Sequence, residues 1–212
     1  LRFLKKDITE RRTIDALIRR YALAYPEVRF KLSDDRMPVL QTVGDGDQRA
    51  ILAGLYGVDI ASQMLEVMAE DETMKLKGFI SPISITRSNR REITFFVNGR
   101  WVQDTPLTAA LINAYHTLLM VARYPLAVLF LNIDPGEVDV NVHPAKAEVR
   151  FKDNNLVFNF IQRAAKRALL AYSPIPSFTS QAIWGDENSV SRQIDPAWNF
   201  SDGGKEGLNS TS

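Results

Sequence analysis

The residues best suited to chemistry lie in the stretch Asp139-Val-Asn-Val-His-Pro-Ala-Lys-Ala-Glu-Val-Arg-Phe151. Val138, Val140 and Val142 alternate as in a strand, and Val149-Arg150-Phe151 resumes one. Pro144 falls between them. A proline has no N–H to give to a central ladder, so the chain must leave the sheet near His143 and return at Val149. Lys146 is then expected at the tip of a tight loop held by a strand on each side. An ammonium mounted in this way is a point charge suited to a phosphate. On the residues alone, an ordinary surface lysine is the more economical reading, because most exposed lysines bind nothing in particular. A second basic group is formed by Arg87, Arg90 and Arg91 in the polar stretch Ser84–Arg91, with Arg100 opening the next strand. Guanidinium groups on one edge can hold phosphates without reading bases. A solvated basic loop explains the same residues equally well.

Several other chemistries are excluded by composition. The 212 residues include no cysteine and only His116 and His143 as histidines, which removes disulfides, thiolate or histidine-rich metal sites and a cysteine nucleophile. Gly203-Gly204-Lys205 has no strand before it and no Ser or Thr after it, so it is not a P-loop. No catalytic and no metal-binding residue is assigned. Lys and Arg number 26 against 25 Asp and Glu, a net charge of +1, so any contact with DNA must come from a local patch. No run reaches the roughly 18 apolar residues of a membrane span and no signal peptide is evident. The expectation is a soluble, intracellular protein with no membrane association.

The elements that must position these residues follow from pattern. Asp7 and Glu10 are spaced as a capping box, and Ile14, Leu17, Ile18, Tyr21 and Tyr25 form one helical face ended by Pro26. Asp7–Arg11 and Asp15–Arg19 stand at helical pair spacing, which makes the basic residues of this helix its exposed face. Val28, Phe30 and Leu32 alternate, and Val39 to Val43 returns as the partner strand. Apolar surface on residues 1–43 needs a partner beyond this helix and hairpin, and predicts self-association or partial disorder there without one. The apolar opening Leu1-Arg2-Phe3-Leu4 predicts that the chain begins inside a domain.

After a joint at Gly44-Asp45-Gly46, Asp47 caps a helix carrying Ile51, Leu52, Leu55 and Tyr56, ended by Gly57. Asp59 caps a second, with Ile60, Met64, Leu65 and Met68 on one face. Met74, Leu76, Phe79 and Ile80 read as a strand. Glu92–Val97, the turn Asn98-Gly99 and Arg100–Gln103 form a hairpin. Thr105 as N-cap with Pro106 opens a helix with Leu107, Leu111, Ala114 and Leu118 inward. Leu126–Ile133 is a strand covered on both faces, followed by a type II turn at Asp134-Pro135-Gly136-Glu137. The last helix, Leu156–Tyr172, buries Phe160, Ile161, Ala164, Ala168 and Leu169. Residues 47–172 thus read as α+β, a mostly antiparallel sheet with helices against one face. From Ser173 the chain is rich in Ser, Pro, Gly, Asn and Asp, with Trp184 and Trp198 as isolated aromatics, and reads as a disordered linker.

Asn141-Val142-His143-Pro144-Ala145-Lys146 followed by Glu148-Val149-Arg150-Phe151 resembles the signature of MutL-type DNA mismatch-repair proteins. Arg20–Ala24 with Pro26, Gly78-Phe79-Ile80-Ser81-Pro82, Phe96-Val97-Asn98-Gly99-Arg100 and Ile133-Asp134-Pro135 resemble other stretches of that family in order and spacing. The resemblance covers residues 1 to about 172. It implies three parts: the C-terminal part of a GHKL-type ATP-binding domain over 1–46, a ribosomal-S5-domain-2-like transducer over 47–173, and a linker over 174–212. It also implies that Lys146 senses the γ-phosphate of ATP held with magnesium by the neighbouring domain, while Asn141, His143 and Pro144 shape its loop. ATP binding would close a homodimer or a dimer of related subunits on DNA and signal to mismatch-recognition and downstream repair proteins. Such a protein works in the bacterial cytoplasm at the nucleoid, or in the eukaryotic nucleus. Arg87, Arg90, Arg91 and Arg100 would be the DNA contacts, although Gln103 stands where some relatives have a further basic residue.

The family's Glu-x-x-Asn helix, Asp-x-Gly-x-Gly turn and glycine-rich lid do not occur in these residues, so the chain alone is expected neither to bind ATP well nor to hydrolyse it. The competing reading is a stand-alone S5-like nucleic-acid-binding module, supported by the Arg87–Arg91 stretch. Another GHKL family is disfavoured because its lysine lies in a different local sequence.

Overall fold

The most apolar run of the sequence sits at the centre of the molecule. In the computed structural model, which describes residues 7–34, 37–139 and 149–172, strand β9 (Ala127–Ile133) is the middle of a five-stranded sheet. Its neighbours are β4 (Met74–Ile80), antiparallel, and β6 (Ile93–Val97), parallel. Strand β3 (Leu65–Glu70) pairs outside β4 and β7 (Arg100–Val102) outside β6, both antiparallel, giving the order β3-β4-β9-β6-β7. All described residues belong to one compact unit, Leu1–Pro174.

Alternation along the strands divides the interior into two cores. On one side, Leu76, Ile80, Phe95, Val97, Leu129 and Leu131 pack with helices α4 (Thr105–Ala114) and α5 (Asn154–Tyr172). On the other, Phe79, Phe96, Val128 and Phe130 pack with helix α1 (Asp7–Ala24), the hairpin β1–β2 (Lys31–Asp34 and Met37–Gln41) and helices α2 (Gln48–Tyr56) and α3 (Val58–Gln63). Phe96 and Phe130 stack there with centroids 4.8 Å apart. The α+β class is as expected, but helices cover both faces of the sheet and not one.

Several local expectations hold. Asp47 caps α2 by accepting from the backbone N–H groups of Arg49 and Ala50, and Gly57 ends that helix at φ 94°. Asn98 and Gly99 both have positive φ, as the β6–β7 turn requires. Asn98 also exchanges two side-chain hydrogen bonds with the backbone of Ile133, which locks the turn to β9.

Others are corrected. Leu65 to Glu70 is an edge strand, not helix: burial alternates from Leu65 to Met68, and every residue pairs with β4. Met64 ends α3, with Arg49 donating to the carbonyls of Ala61 and Met64. The N-cap of α4 is Asp104, which accepts from Leu107 N at 2.8 Å, and Thr105 is the first helical residue. That helix stops at Ala114 because the buried Tyr115 turns aside to donate its hydroxyl to the carbonyl of Ser81, leaving Leu118 beyond it. Pro135–Glu137 is a 3-10 turn in which Asp134 Oδ1 accepts from Gly136 N, and Gly136 is not at positive φ, so the turn is not type II. Ser84–Arg91 is not loop throughout: it holds the short strand β5 (Thr86–Arg87), paired with β8 (Tyr124–Pro125), and the start of a 3-10 turn at Arg90–Glu92.

The face foreseen on α1 is also rotated. Ala22 and Leu23 are buried with Ile18 partly so, whereas Ile14, Leu17, Tyr21 and Tyr25 remain 44–51% exposed. The helix leans on α2 and β7 with a small-residue shoulder and leaves most of its large apolar side chains outward.

Gly78 makes the central pairing possible. It lies at φ 142° between β3 and β9, and a Cβ there would meet Val128 O at 2.1 Å and Leu129 Cα at 3.0 Å. Neither obstacle is a flexible side-chain tip. Gly78→Ala is therefore expected to lower stability by about 3 kcal/mol or more, read as a fall in the urea midpoint. An unchanged midpoint would show that β4 and β9 do not approach this closely.

Candidate functional site

Strand β10 (Val138–Asp139) and strand β11 (Arg150–Phe151) form a two-residue antiparallel pair, Val138 opposite Phe151 and Asp139 opposite Arg150. Val149 and Phe151 are buried in the α4–α5 core, and Lys152 N donates to Glu137 O just outside the pair. Both ends of the stretch 140–148 are thus fixed to the domain. Asn141, His143, Pro144 and Lys146 fall within that stretch and lie outside the described residues.

The four arginines proposed from sequence do not form one cluster. Arg90 and Arg91 line a cleft of about 600 Å³ between α1, the end of α2, β6, β7 and the start of α4. Arg90 also lies over Tyr124, 5.1 Å from the ring centroid. Arg100 faces a smaller hollow of about 230 Å³, on the Tyr21 and Tyr25 side of Trp101. Arg87 lies in β5 and donates to the carbonyl of Thr86 at 3.3 Å.

Two arginines of α1 complete the larger cleft, and sequence reasoning had assigned them to a solvated face. Arg19 Nε donates to Asp15 Oδ2 at 2.7 Å, the pair foreseen from spacing, while its Nη1 donates to Leu55 O at 3.2 Å. Arg20 lies 3.6 Å from the centroid of Trp101, and burial lowers its pKa from the ordinary value. The Asp15–Arg19 spacing was visible in the sequence; the partners Leu55 and Trp101, 36 and 81 positions further along, were not.

The carboxylates of the cleft are engaged in structure. Asp104 caps α4. Glu92 accepts from the phenol of Tyr56, and burial together with that carboxylate raises the Tyr56 pKa well above its ordinary value. What remains toward solvent is the cationic rim of Arg90 and Arg91, which suits an anionic chain held through its phosphates.

The joint at Gly44–Gly46 has no such role. Gly44 (φ 80°) is closely packed: a Cβ there would meet Arg29 N at 2.8 Å. Gly46 N donates to Pro26 O. Among the described residues no group of three or more His, Cys, Asp or Glu side chains could hold a metal ion, and no helix is long and apolar enough to cross a membrane.

A family model described as "DNA mismatch repair protein, C-terminal domain" matches residues 52–170. The chain is 38% identical over 200 residues to the DNA mismatch repair protein MutL of Geobacillus sp. (strain WCH70), which covers 94% of this chain and 32% of that protein. It is 40% identical over 182 residues to MutL of Geobacillus kaustophilus (strain HTA426), covering 86% and 29%. The chain therefore spans about a third of the length of these relatives. Among solved structures, the N-terminal domain of a DNA repair protein superposes with a TM-score of 0.62 at 19% identity, covering 74% of this chain and 52% of that one. The Aquifex aeolicus MutL ATPase domain complexed with ADP gives 0.50 at 24%, covering 76% and 50%. At these identities the structures establish likeness of fold.

Tyr56 and Tyr115, two of six tyrosines, have pKa values raised above the ordinary 10.0, chiefly by burial. A group whose folded pKa is raised contributes stability that is complete below the unfolded value and lost as pH rises through the folded one. Stability should therefore decline as pH climbs past about 10. A spectroscopic titration should show two phenols ionising late, and only one in Tyr56→Phe. If Tyr56→Phe leaves the number of late-ionising phenols unchanged, Tyr56 is not shielded by burial and by the Glu92 carboxylate.

Proposed function

Because this chain belongs to the MutL family of DNA mismatch-repair proteins, we propose that it couples ATP binding in a neighbouring domain to closure of a dimer on DNA and to signalling toward repair partners. In this reading residues 1–46 are the closing part of a GHKL-type ATP-binding domain, 47–173 are an S5-like transducer, and 174–212 are a linker. The bacterial relatives suggest the cytoplasm, at the nucleoid, as its place of work.

The observation that carries the reading is the β10–β11 pair. A segment of nine residues, 140–148, joins two strands whose ends are set in the core by Val149 and Phe151. A lysine borne on such a segment can contact a phosphate of a neighbouring domain while the transducer moves as one body. Lys146 is that residue. ATP, with its magnesium, is held mainly by the neighbouring domain, and this chain contributes one cation toward the terminal phosphate. Asn141, His143 and Pro144 set the path of the segment.

DNA contact is assigned to the exposed rim of Arg90 and Arg91, with Arg87 and Arg100 as outlying phosphate contacts. These act on charge and carry no sequence preference.

The test joins the chain to the preceding part of its parent protein and measures ATP turnover with and without Lys146→Ala. Turnover should fall about tenfold or more in the variant. Equal turnover would remove the sensor role and leave the family membership intact. In the same protein, Arg90→Glu with Arg91→Glu should weaken DNA binding and flatten its salt dependence by about 0.9 in log–log slope per lost phosphate contact. An unchanged slope would favour a merely solvated basic edge.

A further inference from the structure

A second groove, of about 460 Å³, opens between the C-terminal ends of α4 and α5 and the turn after β4. Its walls include Ile83, Leu118, Leu170 and Tyr172, which are 53, 46, 62 and 52% exposed. The turn that continues from Leu118 extends the apolar surface, for Met120 is 83% and Val121 98% exposed. Soluble domains seldom gather so many large apolar side chains at one place unless something binds there.

The exposure is built into the backbone. Thr117 and Ala122 both lie at positive φ, 72° and 62°, and Thr117 is β-branched, so its conformation is strained. Hydrogen bonds from Leu118 N to Tyr115 O and from Arg123 N to Met120 O brace the turn. Tyr115 anchors it through its bond to the buried Ser81.

Charge identifies the occupant. Among the described residues no carboxylate lines the groove, whose one cationic side chain is Lys166, beside the ionisable His116 and Tyr172. Helix α5 displays Arg163, Lys166 and Arg167 outward and has no Asp or Glu among its 19 residues. From this we infer that the groove docks an amphipathic segment of a partner protein: apolar side chains at helical spacing enter between Ile83, Leu118 and Leu170, and flanking Asp or Glu residues meet Lys166 and its neighbours. The apolar anchors supply most of the affinity and the charges set orientation and encounter rate. A second copy of this chain fits poorly, since a two-fold contact sets one cationic α5 face against another. This inference is independent of Lys146 and of the arginine cleft.

The test uses the 212-residue chain and a display library of random peptides about 16 residues long, roughly four helical turns. Selection is made on the wild type, with Leu170→Asp and Ile83→Ser as counter-targets and Lys166→Glu kept out of the selection as an independent third variant; all three positions are exposed. Enriched peptides should carry spaced apolar residues with Asp or Glu beside them. They should shift the methyl resonances of Ile83, Leu118 and Leu170 and bind each variant about tenfold or more weakly. Three outcomes overturn the proposal: no enrichment over the counter-targets, peptides without acidic bias that ignore Lys166→Glu, or shifts confined to other surfaces. Concentration-dependent dimerisation abolished by Leu170→Asp would give the face to a second copy. Binding to phosphatidylglycerol vesicles lost in the same variant would give it to a membrane. Either result also overturns the proposal.

Discussion

Strand β9 has to serve two cores at once. Ala127, Leu129, Leu131 and Ile133 point toward α4 and α5, while Val128 and Phe130 point toward α1, α2 and the β1–β2 hairpin. Strand β4 pairs with it along its full length and β6 from Ala127 to Leu131, and over that stretch both faces are apolar. The absence of a side chain at Gly78 lets β4 come close enough, and the Asn98 amide continues the ladder where β6 ends. The cleft inherits its shape from this arrangement. Its floor is the β6–β7 edge of the sheet, and its wall is α1, which rests on the face that Phe96 and Phe130 build.

The parts that sequence made legible are those in which local chemistry and the tertiary outcome agree. Asp47 and Gly57 bracket α2 because a cap and a positive-φ residue are short-range requirements. Asn98-Gly99 fixes a hairpin whatever surrounds it. Ala127–Ile133 announces double burial by having no polar residue before Asn132. Where the outcome depended on a distant partner, reading by pattern failed. Leu65–Glu70 contains Glu66, Met68 and Ala69, residues at home in a helix, and became a strand because β4 offers it six successive pairings. The α1 face differs for the same reason: five large apolar residues in register outweighed Ala22, whose small side chain is fully buried in the second core.

The site divides along the same line. Arg90 and Arg91 could be picked out as a basic pair, and the Asp15–Arg19 spacing pointed to an ion pair. No feature of the sequence says that Arg19 and Arg20 stand across the cleft from them. That juxtaposition needs α1 packed beside β7, with Trp101 placed to receive the Arg20 guanidinium. Arg100 shows the converse. It is close in sequence to Arg90 and Arg91, yet the β6–β7 turn carries it into a different hollow.

The strand order has a consequence for how the domain comes into being. The hairpins β3–β4 and β6–β7 are each local and can close early, but in the finished sheet they do not touch; β9, later in the chain than either, enters between them. During synthesis both hairpins emerge with an open inner edge, β4 on one and β6 on the other, and stay so until Ala127–Ile133 has followed. Non-local pairings of this kind form slowly compared with the hairpins that await them. A nascent chain that stalls before Ala127 thus presents two unpaired strand edges, each able to bind the missing strand of another molecule.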